Sequence, residues 1–140
     1  MIASSLRRNP PLVLSGGLAG LLPFVGSAIA LQVGWSDAGP FLTYSVIILS
    51  FLAGVNWWYG LQQKQMPSVV VGLMLPALAW LALFLPTHLT VLALGTGFLL
   101  LWAWEMLIMH QVYTRGYALL RTVLTLGVLA THVWAWLVLV

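Results

Sequence analysis

Charge is what this chain lacks most. Five basic and two acidic side chains serve 140 residues, 5% charged, against about 25% in an ordinary soluble domain. That scarcity excludes a soluble globular surface. Cysteine is absent as well, which removes disulfides, thiolate nucleophiles and Cys-ligated metal clusters and leaves the redox compartment undetermined. Asp37, the sole aspartate, lies between two apolar runs, so no buried aspartate is available to a Ser-His-Asp arrangement. The formal charge of +3 and pI near 9.8 do not indicate nucleic-acid binding. Arg7, Arg8, Lys64, Arg115 and Arg121 are dispersed along the chain where a nucleic-acid site would gather its cations into one patch.

What the chain has instead is apolar length. Hydrophobic residues make up 62% of it and the mean hydropathy is +1.06. A membrane helix needs about 20 mostly apolar residues, and Pro, Gly and charge divide the sequence into five such runs, at about 12–34, 41–61, 68–85, 89–109 and 118–139. The connections between them hold only a handful of residues each, so neighbouring runs must be antiparallel. The expectation is an all-α polytopic membrane protein, one integral domain over 1–140, with five transmembrane helices in an up-down bundle. Ala28-Ile29-Ala30 imitates a signal-peptidase site, but the first run exceeds the ~7–15-residue core of a signal peptide and reads as a span.

Orientation follows from the cations. With the N-terminus inside, all five basic residues fall on or near the inner side and the outer turns keep only Asp37, so the positive-inside rule predicts N-in and C-out. Trp57, Trp58, Tyr59, Trp102, Trp104, Tyr113 and Tyr117 mark the inner interface and Trp35, Trp134 and Trp136 the outer one, as headgroup-level aromatics should. Nothing resembles the Arg- and Ser-rich presequence of an imported mitochondrial protein. A bacterial inner membrane is the expected location, with the mitochondrial inner membrane as the alternative.

Small residues supply candidate helix-packing positions. Gly16 and Gly20 lie four apart in the first run, and Gly26, Ala30 and Gly34 repeat that spacing. Such faces let backbones approach where lipid gives no hydrophobic drive, either within the monomer or in a homo-oligomer, and Gly54 in the second run is counted with them. Pro23 and Pro76 each remove a backbone donor and predict kinks in the first and third spans. Gly20-Leu21-Leu22-Pro23 and Gly72-Leu73-Met74-Leu75-Pro76 are alike but one residue out of step, too short a match to establish an internal repeat.

Glu105 is the one acid inside a predicted span, roughly 7 Å from its inner end at 1.5 Å per residue. An intramembrane ionisable group is a site hypothesis by default. Arg121, about one turn into the antiparallel fifth span, is placed to pair with it. Asn56 lies at a similar depth in the second span, and Asn56, Glu105 and Arg121 form the candidate inner polar cluster, as an interhelical clamp or as a proton or ligand site. His88, His110 and His132 fall on two sides of the membrane and converge on no metal. His132 has two readings, an interhelical hydrogen bond or a haem or quinone contact. No metal ligand set, cofactor site or catalytic constellation is predicted.

The runs Gly17 to Phe24 and Tyr44 to Trp57 resemble the family called domain of unknown function 3429, small bacterial and mitochondrial membrane proteins that include transmembrane protein 69. Weaker echoes are Leu75-Pro76 with Trp80, Glu105, Tyr117, Leu120-Arg121 and Leu124-Thr125. The resemblance spans nearly the whole chain and implies a five-span fold with no assigned activity. The family pattern has His where this chain has Asn56. An amide neither titrates nor binds metal strongly, so only a hydrogen-bonding role transfers. The function expected is non-enzymatic: an accessory, assembly or regulatory component of a membrane complex. A small transporter or channel component and a haem- or quinone-binding protein are the alternatives. Its surroundings are the lipid bilayer and a membrane-protein partner or a second copy.

Overall fold

A computed structural model describes residues 10–108 and 113–140. Arg7, Arg8 and His110 lie outside the described residues. Every regular element among the described residues is helical: α1 Pro10–Ala19, α2 Leu22–Gln32, α3 Gly39–Gln63, α4 Met66–Ala82, α5 Thr87–Ile108 and α6 Arg115–Leu139. α1 and α2 are the two halves of the first predicted span, so the five apolar runs give five rods. Among the described residues four stretches are long and apolar enough to cross a membrane, Leu14–Gln32, Gly39–Gln63, Thr87–Ile108 and Arg115–Leu139. The fifth, α4, has 17 residues, about 25 Å at 1.5 Å per residue, and sits at the short limit for a span.

The expected boundaries shift for local reasons. α3 and α4 begin before their predicted starts because Pro40 and Pro67 occupy the first helical turn, where the missing N–H would have had no partner anyway. α4 stops before 85 because the Leu83, Phe84 and Leu85 amides turn tightly onto the Trp80, Leu81 and Ala82 carbonyls. The Thr90 hydroxyl of α5 then donates to the Ala82 carbonyl at 2.8 Å and ties that turn down.

The two prolines behave differently. Pro23 lies just after a break in the first rod, where the Gly20 amide is shared between the Gly16 and Gly17 carbonyls and the Leu21 amide reaches Leu18. The freed Gly20 carbonyl accepts from the Tyr44 hydroxyl of α3 at 2.8 Å, so the break is stitched to the neighbouring helix. α4 by contrast runs unbroken through Pro76. The likeness between the Gly20–Pro23 and Gly72–Pro76 segments therefore has no structural counterpart.

α3 and α4 are joined by Lys64 and Gln65 only, with Lys64 in the left-handed region at φ 54°, and they pack backbone to backbone. A Cβ on Gly60 would lie 2.6 Å from the Val69 nitrogen, and one on Gly72 would lie 2.6 Å from the Trp57 nitrogen. The predicted packing residues are elsewhere. Gly16 and Gly54 have nothing within 4 Å of where a Cβ would sit, and Gly20 meets its own helix and the Tyr44 hydroxyl. Glycine spacing identifies a helix face without saying which way that face looks.

The core is formed by Phe24, Phe41, Leu49, Leu94, Phe98, Leu101 and Val128. Around it the usual distribution is inverted: Glu105 is 1% and Arg121 6% exposed, whereas Leu22 is 69% exposed. Large apolar side chains turned outward while charges are buried is the arrangement lipid requires. The protein is a multi-pass membrane protein.

Candidate functional site

The buried face of α3 runs Phe41, Ser45, Leu49, Ala53, Asn56 and Gly60, a three- and four-residue spacing that stacks side chains along one side of a helix. Its two polar members, Asn56 and Ser45, each meet a partner on another helix, and two polar clusters result.

The first lies near the Lys64 end of the bundle and brings together the three predicted residues. Arg121 of α6 places Nε 2.9 Å and its Nη2 2.8 Å from the same Glu105 oxygen, Oε2. The other oxygen, Oε1, accepts from Asn56 Nδ2 at 3.4 Å, and that amide is shared with the Leu52 carbonyl at 3.4 Å. The geometry is unequal: two short charge-assisted contacts bind α5 to α6, while a single long one attaches α3. Because a carboxylate only accepts, the Asn56 amide must turn its NH2 group toward Glu105. Its oxygen Oδ1 is left buried without a partner among the described residues.

Tyrosines close this end. Tyr59 donates to the Ile108 carbonyl at 3.4 Å, and Tyr113 meets Tyr117 edge-on at 4.6 Å. Burial, and then the nearby Glu105 carboxylate, push the Tyr113 phenol well above its ordinary range, so it stays a neutral donor. Trp102, read from sequence as an interfacial marker, also donates to Thr122 Oγ1 of α6 at 3.0 Å.

The second cluster lies toward the Asp37 end. His132 Nδ1 is 2.8 Å from the Val128 carbonyl. A carbonyl can only accept, so Nδ1 carries the proton and Nε2 accepts from the Ser45 hydroxyl at 3.0 Å. Phe24, Phe41 and Phe98 surround the ring with centroids at 5.6, 4.8 and 5.4 Å. Gly95 packs beside it, where an added Cβ would stand 3.4 Å from His132 Cβ, in ordinary contact. With both ring nitrogens engaged and the residue buried, His132 forms the interhelical hydrogen bond that was one of its two sequence readings. No group of three or more metal-ligating residues is found among the described residues.

Residues 9–137 match the family described as Protein of unknown function (DUF3429). The chain belongs to that family. No curated protein and no solved structure matches it. Within this DUF3429 chain, Asn56, Glu105 and Arg121 converge, whereas the packing candidates Gly16, Gly20, Pro23, Gly54 and Pro76 do not share a site. Ser45 and Tyr44 were missed as interhelical contacts. Both sit in the run that carries the family resemblance, and Ser45 is eleven residues before Asn56, three turns up the same face, a signal legible in sequence.

Proposed function

We propose that this DUF3429 chain is a non-enzymatic accessory component of a larger membrane complex, docking through the outer face of α3. The observation that carries the reading is a row of exposed side chains, Ile47, Phe51, Trp58 and Leu61, with exposed Gly54 between them. Their spacing alternates four and three, the repeat that keeps one helix seam against another. Gly54 supports close approach at the middle of that seam, because nothing of this chain lies within 4 Å of where its Cβ would be. The membrane is proposed to be the bacterial inner membrane, with the mitochondrial inner membrane as the alternative. The exposed Lys64 and Arg115 support placing the Lys64 end on the negative side.

A photo-crosslinking residue at Phe51 tests the docking. In native membranes it should yield one discrete protein adduct that Gly54→Leu abolishes. Adducts to lipid alone, at Phe51 as at Leu119 on α6, would refute it. A second reading, a protein that binds a lipid-soluble molecule, is supported by a cleft beside Arg121.

A further inference from the structure

From the cleft we infer that the protein binds a neutral, carbonyl-bearing lipid-soluble molecule, with the carbonyl seated on the Arg121 guanidinium. The cleft has a volume of about 270 Å³ and lies where α1, α3, α5 and α6 meet, walled by Gly17, Gly20, Phe98 and Leu124 and bordered by Tyr117 and Arg121. Gly16 and Phe51, both exposed, also line it, so it is reached from the lipid side. Its walls suit a hydrocarbon tail or an unsaturated ring.

Arg121 is the feature that a tail alone leaves unexplained. A guanidinium has five N–H donors in a fixed fork. Among the described residues Arg121 meets one acceptor, Glu105 Oε2, through Nε and Nη2, which uses two of the five. The side chain is nevertheless only 7% exposed. Donors at membrane depth must find an acceptor because water does not supply one there, and the cleft is the space that Arg121 lines.

Electrostatics select the class of acceptor. Glu105 already balances Arg121 in charge, so the cleft offers donors without net positive charge. A carboxylate or phosphate would bring the buried set to −1, whereas a ketone, quinone or ester oxygen adds none. The carbonyl can belong to a free lipid-soluble molecule or to the ester of a glycerolipid. The two share one recognition chemistry.

Gly16→Leu is the decisive variant. Gly16 lines the cleft and nothing lies within 4 Å of the position a Cβ would take there, so the added side chain starts in open cleft space. Gly26→Leu, equally unopposed on α2, is the control, and neither glycine variant changes a residue of the α3 seam. Purified protein in nanodiscs would be titrated with a benzoquinone carrying a ten-carbon tail, with dioleoylglycerol and with oleate. The expected result is saturable binding of a neutral probe, weakened at least tenfold by Gly16→Leu and by Arg121→Lys, unchanged in Gly26→Leu, with an unchanged melting temperature for Gly16→Leu. Competition between the two neutral probes identifies the source of the carbonyl. Saturable binding of neither, equal binding by Gly16→Leu, or oleate binding as tightly at the same site would overturn the inference.

Discussion

Replacing Arg121 with alanine removes the only cation among the described residues in contact with a carboxylate that is 1% exposed. The Asn56 amide still donates to Glu105 at 3.4 Å, but this long contact, shared with the Leu52 carbonyl, offsets little of the loss. Breaking a buried pair by deleting one partner costs about 3–5 kcal/mol, and the arginine stem takes its packing with it. For a chain of this size each kcal/mol moves the midpoint by about 2–4 °C, so Arg121→Ala should melt on the order of 10 °C lower in a fixed detergent. The companion variant Glu105→Gln/Arg121→Met removes both charges and keeps volume, and an apolar replacement of a buried pair is often neutral or stabilising by about 1–4 kcal/mol. Thermal and denaturant unfolding of the wild type and both variants in the same micelle decides the matter. An Arg121→Ala protein within about 1 kcal/mol of wild type, or a double variant no more stable than the single one, would refute the account of the cluster.

At Gly72 a leucine must push against the Trp57 nitrogen and the Ala53 carbonyl; the expected loss is at least the 1–3 kcal/mol typical of overpacking, read as a lowered midpoint, while Gly54→Leu should leave the midpoint unchanged. His132→Ala leaves a ring-sized void among three phenylalanines and should cost about 3–5 kcal/mol, against about 0.6 kcal/mol for Ser45→Ala, the average for a single interhelical hydrogen bond in a membrane; similar costs for both variants in denaturant unfolding would argue against an enclosed ring. Tyr113 sets an alkaline limit, since its phenol is held above the ordinary value near 10.0. Its contribution is fully present below that value and is lost as the pH rises above it, because the unfolded state then binds fewer protons than the folded one. Midpoints measured against pH should fall at the alkaline end, and Tyr113→Phe should flatten the fall.

The bundle and its charged pair were legible because lipid makes composition informative. Five apolar runs with short links leave little but an up-down arrangement, and an acid and a base at matching depths on adjacent antiparallel spans leave little room for any pairing but Glu105 with Arg121. Asn56 was legible for the same reason, as an amide where every neighbour is apolar or aromatic. Ser45 and His132 were harder to pair, since hydroxyls and imidazoles occur singly in membrane helices, and α3 and α6 are separated by two intervening spans. The close packing at Gly60 and Gly72 escaped because the direction a glycine faces depends on the neighbouring helix. The differing behaviour of Pro23 and Pro76 escaped because Pro23 falls in the first turn of α2 and Pro76 inside α4, a distinction that depends on where the helices begin. Whether the rod then breaks depends on its surroundings, and here the Tyr44 hydroxyl satisfies a carbonyl at the break.

The link between α5 and α6 bears on how the protein is made. Glu105 emerges from the ribosome before Arg121, and either charge alone carries a partition penalty of about 2.5–3.5 kcal/mol at the centre of a bilayer, less toward its edge. Sixteen positions separate them, so both helices can reside in the translocon together and release to lipid as a neutralised hairpin. The fourth transmembrane segment should therefore insert more efficiently when the fifth follows it, and a nascent chain stalled between the two would hold an uncompensated acid at the protein-conducting channel.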